Sequence, residues 1–276
     1  MHEIERHRII LGEIARRPVA TIGRLVELTG ASEATIRRDI NTLDIEGRIR
    51  KVRGGAGALT RPQERLDPLA TPAFEATRFV HLAAKRAIAR RAAELVADGE
   101  PVIVNGGTTT YCLGPFFADR SLDVLTNSLD LALYLIANSA CRVVLPGGDV
   151  HRKQRMIVSP YESDTAIEHF YATKFLLGAH AIRPQGLIEG DPTLIKAEQK
   201  MLKQADEVIA LVDGSKFEPR GSLILCPLAE LDRVITDRSA PADAIAMLED
   251  AGVTVDVVDA EERADERSEQ RLAATG

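Results

Sequence analysis

Residues 34–56 read ATIRRDINTLDIEGRIRKVRGGA. Ile36, Ile40 and Leu43 recur at i, i+4 and i+7, the spacing of one apolar helix face, so a helix is expected from Glu33 to about Asp44. Ser32 caps its start and Gly47 ends it. Thr35, Arg37, Arg38 and Asn41 then fall on or beside the solvent side. Beyond the helix, Arg48 to Val52 alternates basic and apolar residues, and Gly54, Gly55 and Gly57 allow a tight reversal into Ala58-Leu59. Upstream, Thr21 caps a short helix, Ile22 to Leu28, that closes at Thr29-Gly30. Before Pro18, an amphipathic helix spans His2 to Ala15 with Ile4, Ile10, Leu11 and Ile14 on one stripe. Helix, tight turn, helix and basic ribbon make the winged-helix plan, in which the later helix of the pair enters the major groove of DNA.

The exposed residue types suit that task. Arg37 and Arg38 can offer paired donors to guanine edges or phosphates, Thr35 can touch a phosphate or a thymine methyl, and Asn41 can read adenine. Ser32 at the helix start joins them. Arg50, Lys51 and Arg53 on the ribbon are assigned to phosphate, where they raise affinity without choosing sequence. A solvated basic face on a small helical domain is the competing explanation; the order of cap, arginine pair and glycine-ended ribbon favours DNA.

The chain has 276 residues with a formal net charge of -6, an average that at first argues against nucleic acid. The charge divides unevenly, +3 over residues 1–70 and -9 over the rest. Aromatics are only 4% with no Trp, so stacking platforms for single strands are poorly supplied. The N-terminus, MHEIERHRII, has neither the basic start nor the apolar core of a signal peptide, and no apolar run approaches the roughly 20 residues of a membrane span. A cytoplasmic protein is expected. Cys112, Cys141 and Cys226 have neither CxxC nor zinc-ligand spacing, so no disulfide, metal or cofactor is expected.

Pro62, Pro68 and Pro72 mark a linker at 61–73 between a DNA-binding domain at 1–60 and an α/β sensor at 74–258; 259–276 reads as a charged flexible tail. A helix is expected over 74–97. From Pro101, short apolar strands alternate with helices, the pattern of a mostly parallel sheet. VIVNGGTTTYCLG, residues 102–114, sets Asn105, Gly106, Gly107, Thr108, Thr109 and Thr110 between a strand and a helix start. Glycines let the backbone approach an anion, and free N–H groups and hydroxyls supply donors, so a phosphate is expected there. The P-loop lysine and the dinucleotide spacing are missing, which disfavours ATP and NAD. Other strand ends add Asn127, Gly147 and Gly148, and the Asp213 to Lys216 turn, which converge if the sheet is parallel. His151, Arg152, Lys153 and Arg155 read as a solvated basic loop, with an anion clamp as the alternative.

The 34–56 stretch also resembles the N-terminal signature of the DeoR family of bacterial transcriptional regulators. NGGTTT, LTNS, LPGG, AEQKML and DGSKF follow that family's order, so the resemblance covers about residues 2–258. It implies a repressor of a sugar-utilisation operon, with Thr35, Arg37 and Arg38 on the recognition helix. It also implies a sensor similar in fold to ribose-5-phosphate isomerase, with Asn105 to Thr110, Asn127 and Lys216 at the effector pocket. RRDIN, KVRGGAGALT, IVSPYES and AEQKML are most similar to the regulators of L-ascorbate utilisation, which implies L-ascorbate 6-phosphate or a related sugar-acid phosphate. Residues 61–78 depart from the resemblance.

A sugar-phosphate isomerase fused to a DNA-binding domain is the rival. Isomerisation needs a positioned base and an acid. The stretch where related isomerases carry an acidic cluster is here Leu177-Gly178-Ala179-His180-Ala181, without a carboxylate, and Glu189 and Asp191 read as exposed loop acids. His180 is expected to be a ligand contact, and no catalytic residue is assigned. The expected partners are double-stranded operator DNA, a phosphorylated sugar or sugar acid, and further copies of the chain in a homo-oligomer, with no membrane.

Overall fold

The computed structural model describes residues 3–16, 19–45, 49–52, 54–57, 73–159 and 165–260, which fall in two compact units, 3–57 and 73–260. The expected linker, apart from Ala73, and the tail beyond 260 lie outside them, as do Gly47, Arg48, Arg53, Ala58 and Leu59.

The first unit runs α1 (Glu3–Arg16), β1 (Val19–Thr21), α2 (Ile22–Thr29), α3 (Glu33–Ile45), β2 (Arg50–Val52) and β3 (Gly55–Gly57). Thr21 Oγ1 accepts the Arg24 N–H at 3.3 Å, which starts α2. Gly30, at φ 65°, closes it with its N–H on the Val26 carbonyl at 2.8 Å. Ser32 Oγ accepts the Thr35 N–H at 3.2 Å and sets the start of α3. The Ile36, Ile40 and Leu43 face is buried against Ile10, Ile14, Leu25 and Ile49. Strand β1 has no counterpart in the sequence reading, because three residues are too few for a period. It pairs antiparallel with β3 in a sheet of order β1-β3-β2. A Cβ on Gly55 would lie 2.1 Å from the Ala20 carbonyl oxygen, so that glycine serves the approach of β1, while Gly54 at φ 82° makes the reversal.

The second unit opens with α4 (Phe74–Thr77) and α5 (Leu82–Glu94) where one helix over 74–97 is expected. The break at 78–81 passes through His81 at φ 54°, and the Thr77 carbonyl there accepts both the Val80 N–H at 3.1 Å and Nζ of the buried Lys85 at 2.7 Å. A buried ammonium needs such a partner.

There follow β4 (Pro101–Val104), α6 (Thr108–Tyr111), α7 (Gly114–Phe117), β5 (Asp123–Thr126), α8 (Leu129–Asn138), β6 (Arg142–Val144), β7 (Asp149–His151), β8 (Met156–Val158), α9 (Thr165–Glu168) and β9 (Ala172–Leu177). The chain continues through β10 (Ala181–Arg183), β11 (Gly186–Glu189), α10 (Pro192–Leu202), β12 (Ala205–Leu211), β13 (Leu223–Cys226), β14 (Arg233–Asp237), α11 (Ala242–Asp250) and β15 (Thr254–Val258). Seven strands form one parallel sheet in the order β15-β14-β12-β9-β4-β5-β6. Both faces are covered, which is why its strands read as unbroken apolar runs. Val102, Val104, Leu176, Ile209 and Leu211 pack under α5, α7 and α8. Ile103, Phe175, Leu177, Val208 and Ala210 pack on the other face with Ile167, Met201 and Leu248. From β4 the chain builds one half of the sheet through β5 and β6, then returns to β4's other side as β9. The strand order reverses between β4 and β9, where a crevice opens outside the carboxyl ends. Among the described residues no helix is long and apolar enough to cross a membrane, and no cluster of metal-ligating side chains occurs.

Candidate functional site

In the first unit, Arg37 and Arg38 project from the exposed face of α3. Arg37 is tied back to Glu33 at 3.3 Å, while Arg38 has no ion-pair partner among the described residues. Thr35 is half-buried, and its hydroxyl lies 2.9 Å from that of Ser32, so both side chains already serve the cap. Asn41 Oδ1 accepts Lys51 Nζ at 2.7 Å, and the Lys51 N–H reaches Asp44 Oδ1 at 2.8 Å; these bonds hold β2 beside α3. Arg50 is exposed. Arg53 lies outside the described residues.

Asp39, on the inward side of the same helix, receives Arg6 Nε at 2.7 Å and Nη2 at 3.0 Å. Burial opposes its ionisation, but the bonds and charge of Arg6, with His7, outweigh it and hold the carboxyl below the ordinary aspartate range.

In the second unit a cleft of about 620 Å³, part of it open to solvent, lies at the crevice. Gly106, Gly107, Thr108, Thr109, His180 and Lys216 line it, joined by Glu189, Glu198, Phe74, Thr77, Gln154 and Met156. Asn105 instead holds the crevice together. Its Oδ1 accepts the Gly178 N–H at 2.8 Å, and its Nδ2 donates to the Gly178 carbonyl at 3.1 Å and to Glu198 Oε1 at 2.7 Å, so one side chain spans the ends of β4 and β9. Asn127 accepts the Gly106 N–H at 2.7 Å, and Thr110 donates to the Gly107 carbonyl at 3.2 Å. These three sequence candidates therefore brace the loop from behind.

Gly147 and Gly148 do not line the cleft; a Cβ on Gly148 would lie 2.2 Å from the Val158 carbonyl oxygen, so that glycine serves the β7–β8 hairpin. Two of the residues there are already paired, Arg155 with Asp130 at 2.7 Å and His151 with Asp191 at 3.0 Å. Helix α6 spans only four residues, so donors rather than a helix dipole are what the loop can offer an anion.

The expectation that no carboxylate stands here is overturned. Glu189, read as an exposed loop acid, is 6% exposed at the end of β11, and Glu198 on α10 is 1% exposed. The sequence did carry a signal for Glu198, an acid on the apolar stripe of Leu194, Ala197 and Met201. Burial, then the charge of Glu189, push the Glu198 carboxyl well above the ordinary range, against the bond from Asn105. Burial also lowers the His180 imidazole, helped by Lys216 and Arg220, and lowers the Lys216 amine against the pull of Asp213.

A raised carboxyl stabilises the fold below its unfolded value, near 4.5, and that contribution is lost as the pH climbs through the folded value. Glu198→Gln is thus expected to gain melting temperature relative to the parent as the pH rises above about 4.5. A pH-independent difference between the two melting curves would count against a protonated Glu198.

The DeoR-like helix-turn-helix domain matches residues 6–61, and the DeoR C terminal sensor domain matches residues 80–238. The HTH-type transcriptional regulator UlaR of Escherichia coli (strain K12 / DH10B) is 34% identical over 260 residues, covering 92% of this chain and 99% of that one. UlaR of Shigella dysenteriae serotype 1 (strain Sd197) matches to the same extent. Ribose 5-phosphate isomerase A from Methanocaldococcus jannaschii shares 18% identity at a TM-score of 0.35, over 48% of this chain and 53% of that chain. That likeness spans about half of each molecule and is too slight to bear on function.

Proposed function

The chain belongs to the DeoR family of DNA-binding transcriptional regulators, and from that premise we propose that it represses a sugar or sugar-acid utilisation operon under the control of a phosphorylated effector. The carrying observation is that Gly107, Thr108 and Thr109 from the end of β4 and Lys216 from beyond β12 border one cleft. Backbone N–H groups, two hydroxyls and a cation whose charge is disfavoured by burial together suit a phosphoryl group, which would restore what the lysine loses by desolvation. L-ascorbate 6-phosphate, implied by the subgroup resemblance, is one member of this class. Thermal-shift screening of the full chain against sugar and sugar-acid phosphates tests the reading, because only ligands that favour the native state raise the midpoint. A panel with no phosphate-dependent shift would overturn it.

On the DNA side, the exposed Arg38, without an ion-pair partner among the described residues, is the residue assigned to base or phosphate contact. Arg38→Ala is expected to weaken binding to the operator by about 10- to 100-fold, the range of about 1–3 kcal/mol for a good arginine contact, with effector affinity unchanged. Titration of a labelled operator fragment at fixed salt reads this, and full retained affinity would remove the helix assignment. A homo-oligomer fits a module of this size, which gains affinity by pairing on half-sites. Glu189 and Glu198 beside a neutral His180 are also compatible with proton transfer, so sugar-phosphate isomerisation is the second reading. The regulator names of the relatives favour sensing without turnover. Turnover of pentose or hexose phosphates on the seconds scale would reverse that preference.

A further inference from the structure

The cleft brings two different chemistries together. Thr108, Thr109 and Lys216 offer donors and positive charge, whereas Glu189 and Glu198 bring two carboxyl groups to the same space. Two of its buried polar atoms have no hydrogen-bond partner among the described residues, Glu198 Oε2 and His180 Nε2. Their side chains are 1% and 6% exposed, so bulk water does not serve them. Leaving such groups unpaired is costly, and the contents of the cleft are the natural source of partners.

We propose that the end of the effector remote from its phosphate is uncharged, a hydroxyl or carbonyl array read by Glu198 and His180, and that an ionised carboxylate at that end is excluded. This rests on the phosphate reading of the other end. Glu198 Oε1 already accepts from Asn105, so Oε2 is the oxygen left for a ligand. With its proton retained, that oxygen is a donor, and a neutral His180 ring nitrogen is a donor or an acceptor according to tautomer. Hydroxyl groups can meet either demand. A carboxylate only accepts, and it would set a second negative charge beside Glu189 in a site of low dielectric. The proposed class thus narrows to polyol, aldose and ketose phosphates, with aldonate phosphates and the ionised ring of L-ascorbate 6-phosphate disfavoured.

Matched pairs that differ only at the remote end test this on the full chain by calorimetry: D-glucitol 6-phosphate against 6-phospho-D-gluconate, and D-ribitol 5-phosphate against 5-phospho-D-ribonate, with inorganic phosphate and the unphosphorylated polyols as controls. In a pair that binds, the polyol member is expected to be at least tenfold tighter. Glu189→Gln should shrink that ratio. Glu198→Ala should cost the polyol member at least tenfold, and Glu198→Gln should restore part of the loss. Equal or tighter binding of the acid member overturns the inference and leaves the phosphate reading standing, as does inorganic phosphate binding on which no polyol phosphate improves. No binding by inorganic phosphate or any phosphorylated member overturns both, and so does an unphosphorylated polyol that binds as well as its phosphate.

Discussion

Thr109→Asp is expected to abolish the response to a phosphorylated effector while leaving operator binding in place. Thr109 is 5% exposed in the first turn of α6 and borders the cleft. A carboxylate there would face the incoming phosphoryl group. At a separation of about 5 Å and an effective dielectric of about 20, each pair of like charges costs about 3 kcal/mol, and a phosphate monoester carries nearly two charges. Affinity should therefore fall by more than about 100-fold. Thr109→Val separates charge from the lost hydroxyl: it removes one hydrogen bond and should cost only about 1 kcal/mol. Calorimetry with the effector, and operator titration with and without it, give the two readouts. Normal induction of the aspartate variant would remove the phosphate cradle from the argument.

Asp39→Ala is expected to unfold the first unit near physiological temperature, and so to lose operator binding although Asp39 faces the core rather than DNA. Its paired bonds to Arg6 tie α1 to α3 across 33 residues of sequence. Removing one partner of a buried ion pair leaves the other desolvated and costs about 3 kcal/mol or more. In a domain of about 60 residues, 1 kcal/mol shifts the midpoint by about 4–8 °C, so a fall of more than about 10 °C is expected in a circular-dichroism melt. A shift within about 2 °C would refute the assignment. The pH dependence carries the opposite sign to that of Glu198. Because the folded carboxyl is held below its ordinary 3.8, its stabilisation is present above that value and is lost as the pH falls through the folded one. Arg38→Ala, by contrast, should lose operator affinity with no change in melting, and so distinguishes a contact from a support.

The two ends of the molecule were legible to different degrees. Capping at Thr21, Gly30 and Ser32 and the stripe of Ile36, Ile40 and Leu43 act between residues at most seven positions apart, and each was visible as spacing. The alternation of apolar runs and helices likewise specified a parallel sheet, since strands buried on both faces must be apolar throughout. Other local readings missed. The break at 78–81 goes with a buried Lys85, which a basic, alanine-rich helix does not announce. Strand β1 exists only because β3 is beside it.

The composition of the cleft was the least legible part. Lys216 and the threonine loop were read as strand-end chemistry, but Glu189 was taken for a surface acid, Glu198 went unnoticed, and Gly148 was given a ligand role where the backbone needs it, as was Gly147, which does not line the cleft. Sequence by itself thus determined most of the elements, the exposed arginine face of α3 and the order of the strands' polar ends, because these follow from period, caps and turn residues within a few positions. Only the tertiary structure decided which of those ends meet. The strand order reverses between β4 and β9, and that reversal draws residues from 106 to 216 to one crevice and turns Asn105 from a candidate ligand contact into the brace between them.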